Sequence, residues 1–175
     1  MSSTIKQVRA ILVLPFMVTV VIPGCLLYAL GFDTFGLHER YLVSRVVLPI
    51  VGVVCILFGL TLMVLTIRLF ARIGRGTLAP WDPTRKLVAE GVYRHVRNPM
   101  ISGVFFVLTG EAIATGSFPI ACWAALFITV NAIYIPLWEE PGLARRFGEE
   151  YEMYRANVPR WIPRLTAWRE ESRGT

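Results

Sequence analysis

The chain is predicted to be an all-α polytopic membrane protein, and three observations carry that expectation. Hydrophobic residues make up 55% of its 175 residues and the mean hydropathy is +0.56, a composition far from that of a soluble domain. Ala10 to Phe32 and Val46 to Ile67 contain no charged residue, and each exceeds the roughly 20 residues that cross hydrocarbon as a helix. From Pro99 to Trp138 the only charged side chain is Glu111. That stretch is too long for one span, and Gly116-Ser117-Phe118-Pro119 breaks it near its middle.

These observations give about four membrane helices, over 10–32, 46–68, 99–116 and 118–138, in a single domain spanning 1–175. The first follows Lys6 and Arg9 but is too long for a signal peptide and lacks a small-residue cleavage pattern, so it is read as retained. Pro15 and Pro23-Gly24 would kink it, as membrane helices tolerate when neighbours satisfy the freed carbonyls. The connection 69–98 is polar. After Trp138, Pro141 suits a first helical turn, and Leu143, Phe147, Tyr151, Tyr154 and Val158 recur every three or four residues, predicting an amphipathic helix over 140–157. Pro159 and Pro163 end it and lay an extended segment beside it.

Charge placement sets the expected orientation, because Lys and Arg in short loops stay on the cytoplasmic side. The stretch Arg68 to Asn98 carries Arg68, Arg72, Arg75, Arg85, Lys86, Arg94 and Arg97 against Asp82 and Glu90, whereas Gly31 to Arg45 is balanced. Both termini and the basic connection should therefore face the cytoplasm, and the net charge of +6 is mostly a topology signal. It comes with no nucleic-acid motif. Cys25, Cys55 and Cys122 fall singly in membrane helices without metal-ligand spacing, so no metal is expected and the thiols read as small core residues. Glu111, about 8 Å of helical rise before the Gly116 turn, reads as structural polarity near the outer surface. No glycine-rich loop has the strand-turn-helix context of a dinucleotide fold.

The most informative stretch is Gly91-Val92-Tyr93-Arg94-His95-Val96-Arg97-Asn98-Pro99-Met100-Ile101-Ser102-Gly103. It packs cations, an amide and an imidazole against the start of an apolar segment, and charge held that close to hydrocarbon is rarely idle. Glu139-Glu140 closes the next apolar segment. The two clusters can meet if the intervening chain crosses the membrane and returns, and that meeting place is the expected active site.

Gly91-Val92-Tyr93-Arg94 with Arg97-Asn98-Pro99 and Gly103, followed by Glu139-Glu140, Leu143, Phe147-Gly148, Glu150-Tyr151, Tyr154 and Val158-Pro159-Arg160, resembles the isoprenylcysteine carboxyl methyltransferase and phospholipid methyltransferase superfamily. The resemblance covers roughly the second half of the chain. It implies an integral membrane enzyme that binds S-adenosylmethionine in a cytoplasm-facing pocket formed by the last two membrane helices, the loop before them and the C-terminal helix. It further implies a lipid or lipophilic acceptor from the bilayer, of the isoprenylcysteine carboxylate or phospholipid amine type. Carried over by motif position, the cofactor contacts are Arg85, Lys86, Leu87, Val88, Tyr93, Asn98, Pro99, Met100, Ile101, Gly103 and Glu139, with Glu140 added because the phospholipid enzymes use an acidic pair. S-adenosylmethionine needs a cation, acceptors and an apolar or aromatic slot. Arg97 or Arg94 could supply the first, Glu139 and Glu140 the second and Tyr93 the third.

Three positions depart from the resemblance. Many members carry histidine at Asn98 and tyrosine at Ile101, and the isoprenylcysteine enzymes place a substrate arginine at Ile135, without which a free carboxylate loses its charge partner. A sulfonium is already an activated methyl donor, so positioning and desolvation carry most of the expected catalysis. Arg97 and His95 are the candidate catalytic residues, His95 because an imidazole can take a proton from an amine or thiol acceptor near neutral pH. The alternatives are an NADPH-dependent membrane reductase of the sterol reductase type, which would need a larger basic pocket, and a non-catalytic membrane scaffold.

Overall fold

A computed structural model describes residues 13–30, 42–73 and 87–169. Lys6, Arg9, Arg75, Arg85, Lys86 and most of the balanced 31–45 connection lie outside the described residues. Among those described, the chain is helical: α1 (Val13–Leu30, with a π turn at Met17–Val21), α2 (Leu42–Ile73), α3 (Pro99–Thr115), α4 (Phe118–Tyr134), a π turn (Ile135–Glu139), α5 (Glu140–Phe147) and α6 (Glu149–Asn157). Three helical stretches, Val13–Leu30, Arg45–Phe70 and Phe118–Phe147, are long and apolar enough to cross a membrane, and α3 is a shorter apolar helix. The protein is a multi-pass membrane protein.

α2 shows how the bilayer acts as solvent. Val46, Ile50, Val54 and Leu57 recur at spacings of four, four and three, and each is more than half exposed. A helix that presents hydrocarbon outward as well as inward needs an apolar surround, and in a chain with several spans of this kind lipid provides it. Its other face is built for close approach to α3. A Cβ at Gly59 would lie 2.5 Å from the Gly103 carbonyl oxygen, and one at Gly110 would lie 2.6 Å from that of Gly52. The pairs Gly52 with Gly110 and Gly59 with Gly103 thus let the two backbones touch along an antiparallel crossing. Hydrocarbon between helices gains nothing over lipid, so dispersion at such contacts holds a membrane bundle together. Met63, Val104, Val107, Leu108 and Ala124 extend the contact to α4.

α3 and α4 form the hairpin expected from the sequence, turning at Gly116 and Ser117. Asn131 is satisfied within α4, its amide donating to the Phe127 carbonyl at 2.8 Å. Glu111 is half-buried, and its Oε2 makes no hydrogen bond. Two expectations change. Cys25 and Cys122 face outward, and only Cys55 is partly covered, because the small residues at the helix crossing are glycines. The amphipathic stretch over 140–157 is two helices, α5 and α6, divided at Gly148, whose φ of 56° and ψ of −132° suit a residue without Cβ. The bend folds α6 back so that Tyr151, Tyr154 and Val158 form a small core with Leu87, Leu143, Phe147 and Trp168.

Candidate functional site at the polar end of the hairpin

The segment before α3 enters as a 3₁₀ turn, Gly91–Arg94, lodged between the end of α2 and α6. The Tyr93 ring meets Phe70 edge-on at 5.9 Å, and its carbonyl accepts from the Tyr154 hydroxyl at 2.7 Å. Burial, then the neighbouring Tyr154 and Glu139, hold the Tyr93 phenol well above the ordinary tyrosine value. Pro99 starts α3 at a position where a missing N–H costs nothing. Asn98 precedes it but does not cap it with its side chain; the amide reaches the Arg160 carbonyl at 3.4 Å instead.

The far end of α4 supplies the acids. Pro136 cannot donate a backbone hydrogen bond and crowds the carbonyl one turn back, and the chain widens into the π turn Ile135–Glu139. One extra residue in a turn rotates everything after it by about 100°. This local rotation helps decide which of two adjacent acids turns inward: Glu140 is 3% exposed, whereas Glu139 is exposed. Arg97 Nη1 donates to Glu140 Oε1 at 2.7 Å, and Arg160 donates to both carboxylate oxygens, from Nε at 2.6 Å and Nη2 at 2.8 Å. One buried carboxylate therefore joins two guanidiniums, the bidentate fork coming from Arg160. The hydrogen bond to Glu140 raises the Arg160 pKa. Burial and Glu140 raise that of Tyr151 against the lowering effect of Arg97.

A strap of residues 158–168 closes this end. It runs antiparallel to residues 94–97: Arg97 N–H donates to the Pro159 carbonyl at 2.9 Å, Arg164 N–H to that of His95 at 2.9 Å and Trp168 N–H to that of Arg94 at 2.9 Å. Side chains reinforce the pairing, with Arg97 Nε on the Val158 carbonyl at 2.9 Å and Arg94 Nε on that of Trp168 at 2.7 Å. The prolines lay an extended segment against the loop before α3, not along the helix they terminate. His95 Nδ1 lies 2.8 Å from the Arg164 carbonyl. A carbonyl only accepts, so Nδ1 carries the hydrogen and, in the neutral ring, Nε2 is the acceptor.

The structure thus brings Tyr93, His95, Arg97, Asn98, Glu139 and Glu140 to one end of the hairpin. Four other candidates serve packing in these positions. Leu87 belongs to the core under α6, Met100 packs on the membrane core, Pro99 is buried at the helix start, and Gly103 is taken up by its crossing with Gly59. Val88 and Ile101 are half-buried. Arg97 and Glu140 are each other's partners, which weighs against a cofactor contact through either. Arg160 is the residue sequence reasoning left without a role, although it closes the Val158-Pro159-Arg160 run. A basic residue just past a helix-ending proline, following an acidic pair at the end of a membrane helix, is the signal that could have found it. Among the described residues no group of His, Cys, Asp and Glu could hold a metal ion.

Spanning helices packed through glycines, with a two-arginine carboxylate cluster sealed by a C-terminal strap, define a polytopic membrane protein with one elaborated polar end. The chain belongs to the phospholipid methyltransferase family, whose model matches residues 47–150, from within α2 to the start of α6. It is also similar to the protein-S-isoprenylcysteine O-methyltransferase of Schizosaccharomyces pombe, at 32% identity over 83 residues, covering 44% of this chain and 33% of that protein. The matched stretch is about a third of the curated relative's length.

Proposed function

We propose that the protein is an integral membrane methyltransferase that uses S-adenosylmethionine and acts on a lipophilic or membrane-embedded acceptor, with both termini on the cytoplasmic side. The observation that carries the reading is the Arg97–Glu140 contact of 2.7 Å, which joins the two polar motifs at one end of a membrane hairpin. The family match supports methyl transfer, and neither comparison points to a reductase.

The residues present fit the cofactor. The Glu139 carboxylate makes no ion pair or hydrogen bond with a described residue and acts electrostatically on the neighbouring Tyr93, so it is the acceptor for a ribose diol or an ammonium group. Tyr93 supplies an aromatic wall. When bound, S-adenosylmethionine supplies an activated methyl group on its sulfonium. Arg97 acts as a positioning residue, holding Glu140 and the strap so that Glu139 and Tyr93 keep their places. His95 takes the proton of the acceptor at Nε2, its ring oriented by the Arg164 carbonyl. Arg85, Lys86, Val88, Asn98 and Ile101 complete the proposed contact set. Ile135 is 2% exposed and offers no charge, which favours an acceptor of the phospholipid amine type over a free carboxylate.

Titration calorimetry on the protein in nanodiscs tests the binding step. S-adenosylmethionine should bind, NADPH should not, and Glu139→Ala should abolish binding while the fold persists. Transfer of labelled methyl groups into a total lipid extract then tests the reaction; binding of NADPH alone, or of neither ligand, overturns the proposal.

A further inference from the structure

We propose that residues 160–165 of the strap form a wedge seated in the lipid leaflet at the polar end of the hairpin, its partner being the boundary between headgroups and acyl chains. Pro159 and Pro163 hold this segment out of helix, so its side chains are displayed in a short extended run. Trp161 points back to the bundle: its ring lies 5.1 Å from that of Phe105 on α3, and Phe105 lies 6.0 Å from Phe127 on α4. Phe105 is six residues into α3, about 9 Å of helical rise from its start, so Trp161 reaches down to a level already within the apolar hairpin.

Beyond Trp161, where Arg164 pairs with His95 just outside the start of α3, the strap's next apolar side chains are left uncovered by the described residues. Ile162 is 73% exposed and Leu165 is 99% exposed. Lipid is the occupant that continuity selects. Arg160 is bonded to Glu140, close in the chain to Leu137 and Trp138, each 61% exposed, and Trp161 seats on Phe105 of α3, so the strap starts from the same end of the hairpin as these exposed apolar side chains. Arg164 lies between that pair, its guanidinium held by the Asn157 carbonyl at 2.8 Å and the Thr166 hydroxyl at 3.1 Å. Apolar tips flanked by guanidiniums match a leaflet boundary, where phosphate meets the charge and acyl carbons meet the tips.

The test uses the full chain with Cys25, Cys55 and Cys122 replaced by serine or alanine, reconstituted in vesicles of mixed zwitterionic and anionic phospholipid. A nitroxide is placed on Leu165→Cys or Ile162→Cys, with Leu126→Cys as the lipid-facing control and Glu152→Cys as the water-facing one. The expected result at 165 and 162 is collision with oxygen several-fold favoured over collision with a nickel chelate, as at 126 and opposite to 152. Nickel accessibility matching position 152 overturns the proposal, as does dipolar broadening at 165, which would assign the patch to a second copy of the chain. Because Leu165 is almost wholly exposed, its replacement leaves the fold intact, and the reading at 162 is independent.

Discussion

Arg97 and Glu140, 43 positions apart in the chain, meet at 2.7 Å with their side chains 9% and 4% exposed. Arg97 precedes the outgoing helix of the hairpin and Glu140 follows the returning one, so the pair closes the loop made by α3 and α4. Arg160 then brings the strap to the same carboxylate.

Removing Glu140 leaves two guanidiniums facing each other, one of them buried. Glu140→Ala should cost about 3–5 kcal/mol, the range for breaking a buried pair on one side. Arg97→Ala should approach it, and Arg160→Ala, whose side chain is 31% exposed, should cost about 1 kcal/mol. Thermal denaturation in detergent checks the order. Equal costs for all three would show that the cluster is not organised around Glu140.

At Gly59 and Gly110 the nearest atoms across the crossing are backbone and cannot rotate away. Gly59→Ala and Gly110→Ala should each lower stability by roughly 1–3 kcal/mol through overpacking. Gly142→Ala, where a Cβ meets nothing within 4 Å, should be neutral or slightly stabilising. Melting temperatures of the three variants decide it.

Tyr93, Tyr151 and Tyr154 have phenol pKa values raised above the ordinary 10.0, in each case chiefly by burial. The unfolded chain releases these protons near pH 10 and the folded chain later. Their contribution is therefore fully present below pH 10 and is lost as pH rises beyond it. Melting temperature should fall steeply above pH 10, and tyrosinate absorbance of the native protein should account for only part of the six tyrosines until it unfolds.

His95 has two separable tasks. His95→Gln can still donate to the Arg164 carbonyl but cannot take a proton. It should keep the melting temperature and the affinity for S-adenosylmethionine while the methyl-transfer rate falls by about 10²–10⁴-fold. A Gln variant with full activity would remove His95 as the base.

Much of the fold is legible along the chain. The uncharged run from Val46 to Ile67, the break at Gly116-Ser117 and the proximity of the Arg97 and Glu139-Glu140 motifs all follow from residues read in order. Less of the candidate site is. Glu139 and Glu140 are neighbours with the same side chain, yet one is exposed and the other buried between arginines, and Gly103 proved to serve a helix crossing.

Hydropathy is a local property summed along a segment, so the sequence by itself determined which stretches enter lipid and where they turn. Which acid turns inward depends on helix phase, which the π turn at Pro136 shifts. Which arginines meet Glu140, and which loop the strap lies along, depends on elements distant in the chain arriving at one place. Those choices were made only by tertiary structure, because a buried charge takes whichever partner the packing delivers.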